Sequence, residues 1–397
     1  MRPRWAWAAA LAALLLAGGE LAARRAGAGP NNAESLLSWL LSARPVFVRD
    51  GAGYVTDPSL VALNDPAERF PAAAPKGALR IVCVGDSTTR GWPYHERGSY
   101  PAWLGAMLAD LGPRAEVINA GFHSFDSARA ALVARETARL RPSIMIFRAG
   151  FNDAGLFRLR QRPHRLLRLH LLLLERSRLY AALRHGLSRP AARLSIGGAD
   201  PRPLSDEQTR RLAAAYRRDL AAMASAAREA GAVPIFLDLG DPARCGPLRR
   251  CALLQAELRS FAAEAGVTLV PLAGPLREAR FVDDIHTDWD GYRRMAQAVA
   301  RAVCARPEVA QATPCRWDRL KPTSAYVAQL GLSDGEFLAH VHVGLAVMRL
   351  IDGRGDEARR ELAEAERLAP NPRMVSEELA QFEDSQAVAL LRAAKRR

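Results

Sequence analysis

A short apolar strand that ends in a small polar turn constrains the fold of this chain more than any other stretch. Residues 79–84 form a run rich in branched side chains, which predicts a strand buried on both faces, as in a parallel sheet. The run stops at Gly85-Asp86-Ser87. Because ligands bind beyond the carboxyl ends of such strands, Ser87 is a candidate nucleophile. Taken alone, the tripeptide is more typical of a turn followed by a helix N-cap.

Strand-like and helix-like segments alternate from residue 79 onward. The candidate strands are 79–84, 115–118, 143–148, 233–239 and 267–269. The candidate helices are 100–111, 127–140, 205–230, 253–265 and 289–303. This repetition predicts an α/β domain with a five-stranded, mostly parallel sheet and helices on both faces. We assign residues 77–313 to this domain and residues 29–76 to an N-terminal extension.

The N-terminus has the layout of an export signal. Arg2 and Arg4 precede an apolar run over residues 5–19, and Arg24-Arg25 follow it. The run is shorter than the roughly 20 residues of a full membrane span. We therefore expect an exported protein, periplasmic or otherwise extracytoplasmic, whose residues 1–28 are a signal peptide or an uncleaved signal anchor in the membrane. A buried N-terminal helix is the less favoured alternative.

The cysteines agree with an oxidising compartment. The chain has five cysteines and no CxxC, which argues against a zinc site or a thioredoxin-type motif. Cys245 and Cys251 flank one short loop, and Cys304 and Cys315 flank another. Both spacings permit local disulfides where thiols are oxidised.

The positive charge is concentrated in one insertion. The net charge is +14, and residues 155–200 hold ten arginines against Glu175 and Asp200. The arginine bias is general, so we expect no nucleic-acid partner. We expect a basic helical insertion whose residues 155–187 cover the active site as a lid or contact an anionic membrane surface. A solvated helix packed on the domain is an equal alternative.

The C-terminal region, residues 314–397, has a helical pattern. Small residues at Ala346, Ala358 and Ala365 fit a helix-turn-helix at tetratricopeptide-repeat spacing. One repeat cannot bury its own apolar face. We therefore expect residues 340–397 to pack on the main domain or on a protein partner, with a plain helical hairpin as the alternative.

A base for Ser87 is found near the end of the predicted domain. A serine nucleophile needs a base and a group that orients that base. His286 lies between the last predicted strand and the last predicted helix, on the same rim as Ser87. Asp283 comes three residues earlier, and on a tight loop its carboxylate can reach the imidazole. Asp284 and Asp288 are alternatives by proximity.

Donors for an oxyanion follow two other predicted strands. The second strand ends in Asn119-Ala120-Gly121, so the Gly121 N–H can face the crevice with no side chain in the way. The third is followed by Gly150-Phe151-Asn152-Asp153, where Asn152 can point its amide nitrogen at the same place. The alternative role for Asn152 is to form the turn.

These segments, taken in order, resemble the motif blocks of the SGNH hydrolase (GDSL esterase/lipase) superfamily. Gly85-Asp86-Ser87 resembles the nucleophile block, and Asp283-Asp284-Ile285-His286 resembles the Asp-x-x-His block. Gly121 and the segment 150–153 resemble the two blocks between them. The resemblance covers about residues 79–305 apart from the basic insertion. The sequence departs from the pattern at Thr88, where the name motif has leucine, and at Thr287, where proline is frequent.

The resemblance implies a three-layer α/β/α sandwich that acts as a serine esterase. Ser87, His286 and Asp283 would form the triad. Ser87, Gly121 and Asn152 would form the oxyanion hole. The reaction would need no metal and no organic cofactor, and its substrate would be a carboxylic ester, with an acylated glycan or a lipid as candidate classes.

Two other functions stay open. In the first, a sugar hydroxyl of a cell-envelope glycan replaces water, and the protein is an O-acyltransferase. In the second, the α/β domain is inactive and the chain is an envelope interaction module. The intact set of Ser87, His286, Asp283 and Asn152 argues against this second function. A Rossmann dehydrogenase is disfavoured because no G-x-G-x-x-G follows the first strand.

Overall fold

The chain forms two compact units. The computed structural model describes residues 4–26, 38–61, 68–161, 169–170, 172–174, 176–187, 204–245, 250–351 and 353–381. One unit comprises Met1–Ser42 and Gly155–Pro201, and the other comprises Ala43–Ala154 and Arg202–Arg397. The predicted basic insertion therefore falls in the first unit. Every residue assigned to chemistry lies in the second.

A five-stranded parallel sheet forms the centre of the second unit. Its strands are β4 (Leu79–Gly85), β5 (Ala115–Gly121), β6 (Ile144–Arg148), β7 (Val233–Leu237) and β8 (Thr268–Val270). They lie in the order β5-β4-β6-β7-β8, and every neighbouring pair is parallel. The predicted parallel sheet is confirmed. Its strand order places β4, which precedes Ser87, between two neighbours whose ends carry the other predicted site residues.

The helices vary in length from one turn to more than six. In chain order they are α1 (Arg4–Arg25), α2 (Pro58–Val61), α3 (Ser87–Arg90), α4 (His95–Gly98), α5 (Tyr100–Leu111), α6 (Ser127–Ala138), α7 (Asp153–Gln161), α8 (Arg178–Leu187), α9 (Asp206–Glu229), α10 (Cys251–Ala265), α11 (Trp289–Cys304), α12 (Pro307–Ala312), α13 (Thr323–Gln329), α14 (Gly335–Ile351), α15 (Gly355–Leu368) and α16 (Pro372–Gln381). None of the helices in the described ranges is both long and apolar enough to cross a membrane.

Helices cover both faces of the sheet, because each strand alternates its apolar side chains between them. Ile81 and Cys83 pack in one core with α5 and α11. On the other face, α6 and α9 pack together and contact β4, β6 and β7. The result is the three-layer α/β/α sandwich that the resemblance implied.

The N-terminal extension forms a small antiparallel sheet of β1 (Phe47–Asp50), β2 (Gly53–Thr56) and β3 (Arg69–Pro71). The Phe47 ring packs 5.9 Å from the Phe122 ring, which follows β5. The Glu136 carboxylate of α6 accepts the Val46 and Phe47 N–H groups at 2.9 and 2.8 Å. These contacts fix the small sheet beside the end of β5.

The described part of the C-terminal region, up to residue 381, is mostly helical and packs on the main domain. Tyr326, Leu332, Phe337 and Val341 belong to the same core as Ile81 of the central sheet. The helices α14, α15 and α16 enclose a second, smaller apolar cluster. The similarity to a tetratricopeptide repeat and a protein partner for residues 340–397 stay predictions.

Both expected cysteine pairs are joined in the structure. Cys245 is bonded to Cys251, and Cys304 is bonded to Cys315. The second disulfide links the end of α11 to the chain that follows α12. Cys83 is a buried free thiol in β4.

The buried Arg80 side chain gives a test of this architecture. It donates to Glu116 of β5 at 2.6 Å, to the Ala72 and Pro71 carbonyls at 2.8 Å each, and to Leu140 O at 3.2 Å. We expect Arg80→Lys to lower the free energy of unfolding in urea by about 3 kcal/mol, because a lysine cannot reach all four acceptors.

The matched control is Arg114→Lys. Arg114 is exposed and makes one bond, to Lys76 O at 3.2 Å. Its replacement should change the free energy of unfolding by less than about 0.5 kcal/mol. Equal effects of the two substitutions would contradict the anchoring role of Arg80.

Candidate active site

The structure brings Ser87, His286 and Asp283 into one hydrogen-bonded chain. Ser87 Oγ lies 2.7 Å from His286 Nε2, although the two residues are 199 positions apart. His286 Nδ1 lies 2.6 Å from Asp283 Oδ2. Ser87 and His286 are 7% and 8% exposed, so the chain is buried but reachable at its edge. A serine, a base and an orienting carboxylate are thus arranged for nucleophilic chemistry.

The turn that carries Ser87 is also a helix N-cap. The Asp86 carboxylate accepts the Thr88 N–H at 2.9 Å and the Thr88 hydroxyl at 2.6 Å. Ser87 therefore begins α3 directly after β4. A Cβ on Gly85 would overlap Arg148 O and Thr89 Oγ1, so only glycine fits between the strand and this helix. The simple N-cap interpretation is correct for Asp86, and it leaves the Ser87 hydroxyl facing His286.

The loop before α11 holds the imidazole rigidly. Asp283 Oδ1 accepts the Ile285 and His286 N–H groups at 2.8 and 2.7 Å. Burial raises the pKa of the Asp283 carboxyl, but the His286 charge and these hydrogen bonds outweigh it, and the pKa falls to about 2. Asp283 is consequently ionised at neutral pH. Asp288, one of the alternatives, caps α11 through the Gly291 N–H at 2.9 Å.

Trp92 is a neighbour of the site that the sequence analysis did not identify. Its ring centroid lies 4.8 Å from that of His286. The Tyr292 hydroxyl of α11 donates to Trp92 O at 2.6 Å and fixes the backbone there. The only signal in the sequence is an aromatic residue shortly after the nucleophile. Its contact with His286 depends on packing between distant segments.

Gly121 has a different role from the one expected. Its N–H donates to Asn119 Oδ1 at 3.0 Å, so that donor is already used. A Cβ on Gly121 would lie 2.5 Å from Arg90 N and 2.8 Å from Thr89. Glycine is needed here because α3 rests directly on the end of β5, and not because its N–H is open to the crevice.

Asn152 keeps one amide hydrogen for a ligand. One Nδ2 hydrogen is donated to Phe125 O at 3.0 Å, which fixes the side chain on the loop after β5. A side-chain amide has two such hydrogens. The Ser87 N–H lies in the first turn of α3, where backbone donors have no acceptor within the helix. These two groups are the remaining candidates for binding an oxyanion.

A buried carboxyl group, that of Asp153, and the half-buried Asp219 support the segment that follows Asn152. The Ser127 hydroxyl contacts both Asp153 and Asp219, the latter at 2.7 Å, and the Ser127 N–H donates to Asp153 at 3.1 Å. Burial raises the pKa of Asp153, and the Asp126 charge raises it further, so that it reaches about 8. Asp153 is therefore protonated at neutral pH. Within the described ranges, no group of acidic, histidine and cysteine side chains could hold a metal ion.

Comparison with known protein families gives one match. A sequence model of the GDSL-like lipase/acylhydrolase family matches residues 83–294, which include Ser87, His286 and Asp283. No curated protein matches the chain significantly.

Several solved structures resemble the chain at low identity. A member of the lipolytic G-D-S-L family from Veillonella parvula is 15% identical, with 58% of this chain and 100% of that one covered and a TM-score of 0.39. A lipase/acylhydrolase from Enterococcus faecalis is 17% identical, with 57% and 95% covered and a TM-score of 0.38. A GDSL-like lipase from Bacteroides thetaiotaomicron is 16% identical, with 62% and 94% covered and a TM-score of 0.35. The family assignment rests on the sequence match.

The packing role of Gly121 leads to a prediction. Gly121→Ala should lower the free energy of unfolding by about 1–3 kcal/mol and should displace α3, because the new methyl group would meet backbone atoms of Arg90. Gly105→Ala is the control, since its Cβ would meet only Val117 at ordinary contact distance, 3.6 Å. Urea unfolding of both variants provides the measurement. Equal stability of the two would contradict the role of Gly121.

Protonated Asp153 leads to a prediction about pH. Its pKa in the folded chain, about 8, lies above the ordinary 3.8, so its contribution to stability is complete below about pH 4 and is lost as the pH rises through 8. Asp153→Asn stays neutral at every pH and keeps an acceptor for the Ser127 N–H. It should therefore raise Tm more at pH 9 than at pH 6. The exposed Asp206→Asn should show no such difference, and a Tm gain for Asp153→Asn that does not depend on pH would contradict the protonation of Asp153.

Proposed function

The chain belongs to the GDSL-like lipase/acylhydrolase family and hydrolyses ester bonds, and we propose that it does so with Ser87 as nucleophile, His286 as base and Asp283 as the orienting carboxylate. The observation that carries this proposal is the buried hydrogen-bonded chain, with distances of 2.7 and 2.6 Å between its three side chains. No other function is favoured by an observation of this kind.

The reaction has two halves. His286 Nε2 takes the Ser87 proton as Oγ attacks the ester carbonyl carbon, and the same proton is then given to the departing alcohol oxygen. This leaves the acyl group on Ser87. A water molecule, deprotonated by His286, next attacks the acyl carbon, and the proton returns to Ser87 as the carboxylic acid leaves.

Asp283 keeps the histidine in its working state. With a pKa of about 2, its carboxylate is charged throughout the neutral range. It holds the proton on Nδ1, so that Nε2 accepts from Ser87, and it stabilises the imidazolium that forms. Ring contact with Trp92 limits rotation of the imidazole.

The oxyanion is bound by the Ser87 N–H and the free amide hydrogen of Asn152. The Gly121 N–H does not take part while it is bonded to Asn119. Loss of one such donor typically lowers kcat by about 10²–10³-fold. Replacing Asn152 by a residue without an amide hydrogen should therefore lower kcat strongly.

We also propose that the enzyme acts outside the cytoplasm. The basic and apolar N-terminal residues and the two disulfides support this location. Membrane contact through residues 155–187 is supported by leucines with exposed side chains between the arginines, namely Leu169, Leu172, Leu173 and Leu183.

Three variants test the mechanism on p-nitrophenyl acetate. Ser87→Ala and His286→Ala should each lower kcat/KM by at least about 10³-fold, and Asp283→Asn by about 10⁴-fold. A fluorophosphonate should label the wild type and not Ser87→Ala. Full activity in Ser87→Ala would end the proposal.

The controls are a serine and a histidine outside the site. Ser59→Ala removes an exposed hydroxyl bonded to Asp57, and His340→Ala removes an imidazole bonded to Glu378. Both should keep wild-type activity. Product analysis with and without a sugar acceptor distinguishes hydrolysis, which gives free acid, from acyl transfer, which gives acylated sugar.

A further inference from the structure

One carboxylate of the N-terminal helix α1 ties that helix to the start of α8. Both helices belong to the first compact unit. Glu20, in the last third of α1, accepts hydrogen bonds from the Arg178 and Leu179 N–H groups at 3.1 and 3.0 Å and from the Ser177 hydroxyl at 2.9 Å. Glu20 and Ser177 are 157 positions apart, so these bonds belong to the tertiary fold.

The Glu20 carboxylate completes the N-terminal cap of α8. The first N–H groups of a helix have no acceptor within it. Ser177 Oγ accepts the Tyr180 N–H at 3.1 Å, and Glu20 accepts the two N–H groups before it. The N–H groups of Leu179 and Arg178 lower the pKa of Glu20 to about 2. The carboxylate is therefore charged at neutral pH, and a negative charge is favoured at a helix N-terminus.

The two helices also pack closely at this joint. A Cβ at Gly19 would lie 3.1 Å from Leu179 Cδ2, and Ala23, one turn further along α1, is 7% exposed. The end of α1 is thus packed as protein interior. Removal of residues 1–28 as a signal peptide would take Glu20 away and would leave two N–H groups of α8 without this acceptor.

Leucines beside the joint are exposed to solvent. Within the described ranges, all the large hydrophobic side chains that are exposed lie in α1 or between residues 169 and 183. Their exposed fractions are 50–70% in α1 and 36–54% in the second segment. We call these side chains the leucine surface, and its members are Leu14, Leu15, Leu16, Leu21, Leu169, Leu172, Leu173 and Leu183. Exposed apolar side chains grouped in this way mark an interaction surface.

Arginines at the joint indicate what the leucine surface contacts. Arg24 and Arg25 end α1, and Arg176 and Arg178 lie on either side of the N-cap of α8. Exposed leucines with arginines beside them are typical of helices that lie in the interface of an anionic bilayer, where the guanidinium groups reach the phosphates. A second copy of the same surface would bring arginines close to arginines, which disfavours self-association.

We propose that α1 is a permanent part of the folded protein and that, joined to α8 by Glu20, it forms with the leucines between residues 169 and 183 one surface that docks on a bilayer of anionic lipid. The inference rests on the membrane contact proposed above for residues 155–187. It adds to that contact the N-terminal helix, the class of lipid and the residue that joins the two helices.

Flotation of the purified full-length chain with lipid vesicles tests the leucine surface. We expect binding to vesicles that are about one-third phosphatidylglycerol to be at least about tenfold tighter than binding to neutral phosphatidylcholine vesicles. The double substitutions Leu14→Ser/Leu15→Ser and Leu172→Ser/Leu173→Ser should each weaken binding about tenfold or more and keep the wild-type Tm, because the side chains removed are apolar and exposed. Ala328→Ser, at an exposed position of α13, should leave binding unchanged.

A bimane fluorophore attached to Leu183→Cys tests the joint, since Leu183 is 54% exposed. Anionic vesicles should shift its emission to the blue as the label enters the bilayer interface. Glu20→Ala should lose most of this shift, because α8 is then no longer held to α1. Glu20→Gln keeps an acceptor oxygen and should retain part of it. A label at Glu377→Cys, an exposed position of α16, should show no shift.

The intact mass of the chain recovered from the membrane fraction of expressing cells should include α1. A mass that lacks α1, or an unchanged bimane shift in Glu20→Ala, would overturn the role of α1 and leave the contact through residues 155–187 standing. Absence of vesicle binding by the wild type, or self-association of the chain in its place, would overturn the membrane contact as well.

Discussion

The structure depends on two close backbone contacts at the ends of neighbouring strands. Gly85 lets β4 pass against Thr89, and Gly121 lets the end of β5 lie against Arg90. Together they seat a one-turn helix directly on the sheet, with Ser87 as its first residue. The loop before α11 is fixed separately by Asp283, and it arrives from a part of the chain 199 residues away. The 2.7 Å contact between Ser87 and His286 requires that both the one-turn helix and this loop are held in place.

Residues outside the motif blocks pack around this pair. Trp92 touches His286 and is fixed by Tyr292. The small antiparallel sheet packs on the aromatic residues after β5, and Glu68, just before β3, lies 3.6 Å from Arg90 at the end of the helix that Ser87 begins.

Local patterns predicted much of the fold and the placing of the site. The strands were visible as apolar runs, and Ser87, Asn152 and His286 follow strand ends that parallel pairing brings to one edge. Gly121 was misjudged because the direction of its N–H depends on the Asn119 side chain, which no periodicity reveals. Trp92 was missed because its contact with His286 joins segments far apart in the chain. The lid or membrane surface expected within residues 155–187 stays a prediction, and residues 162–168, 171 and 175 of that segment lie outside the described ranges.

The shared core has a consequence for where this protein can be divided. The family match ends at residue 294, yet Tyr326, Leu332, Phe337 and Val341 fill the same core as β4. A fragment cut at the limits of sequence similarity would expose these contact surfaces to water and would be prone to aggregate. The segment that matches the family is therefore shorter than the packed core, and helices α13 and α14 belong to that core.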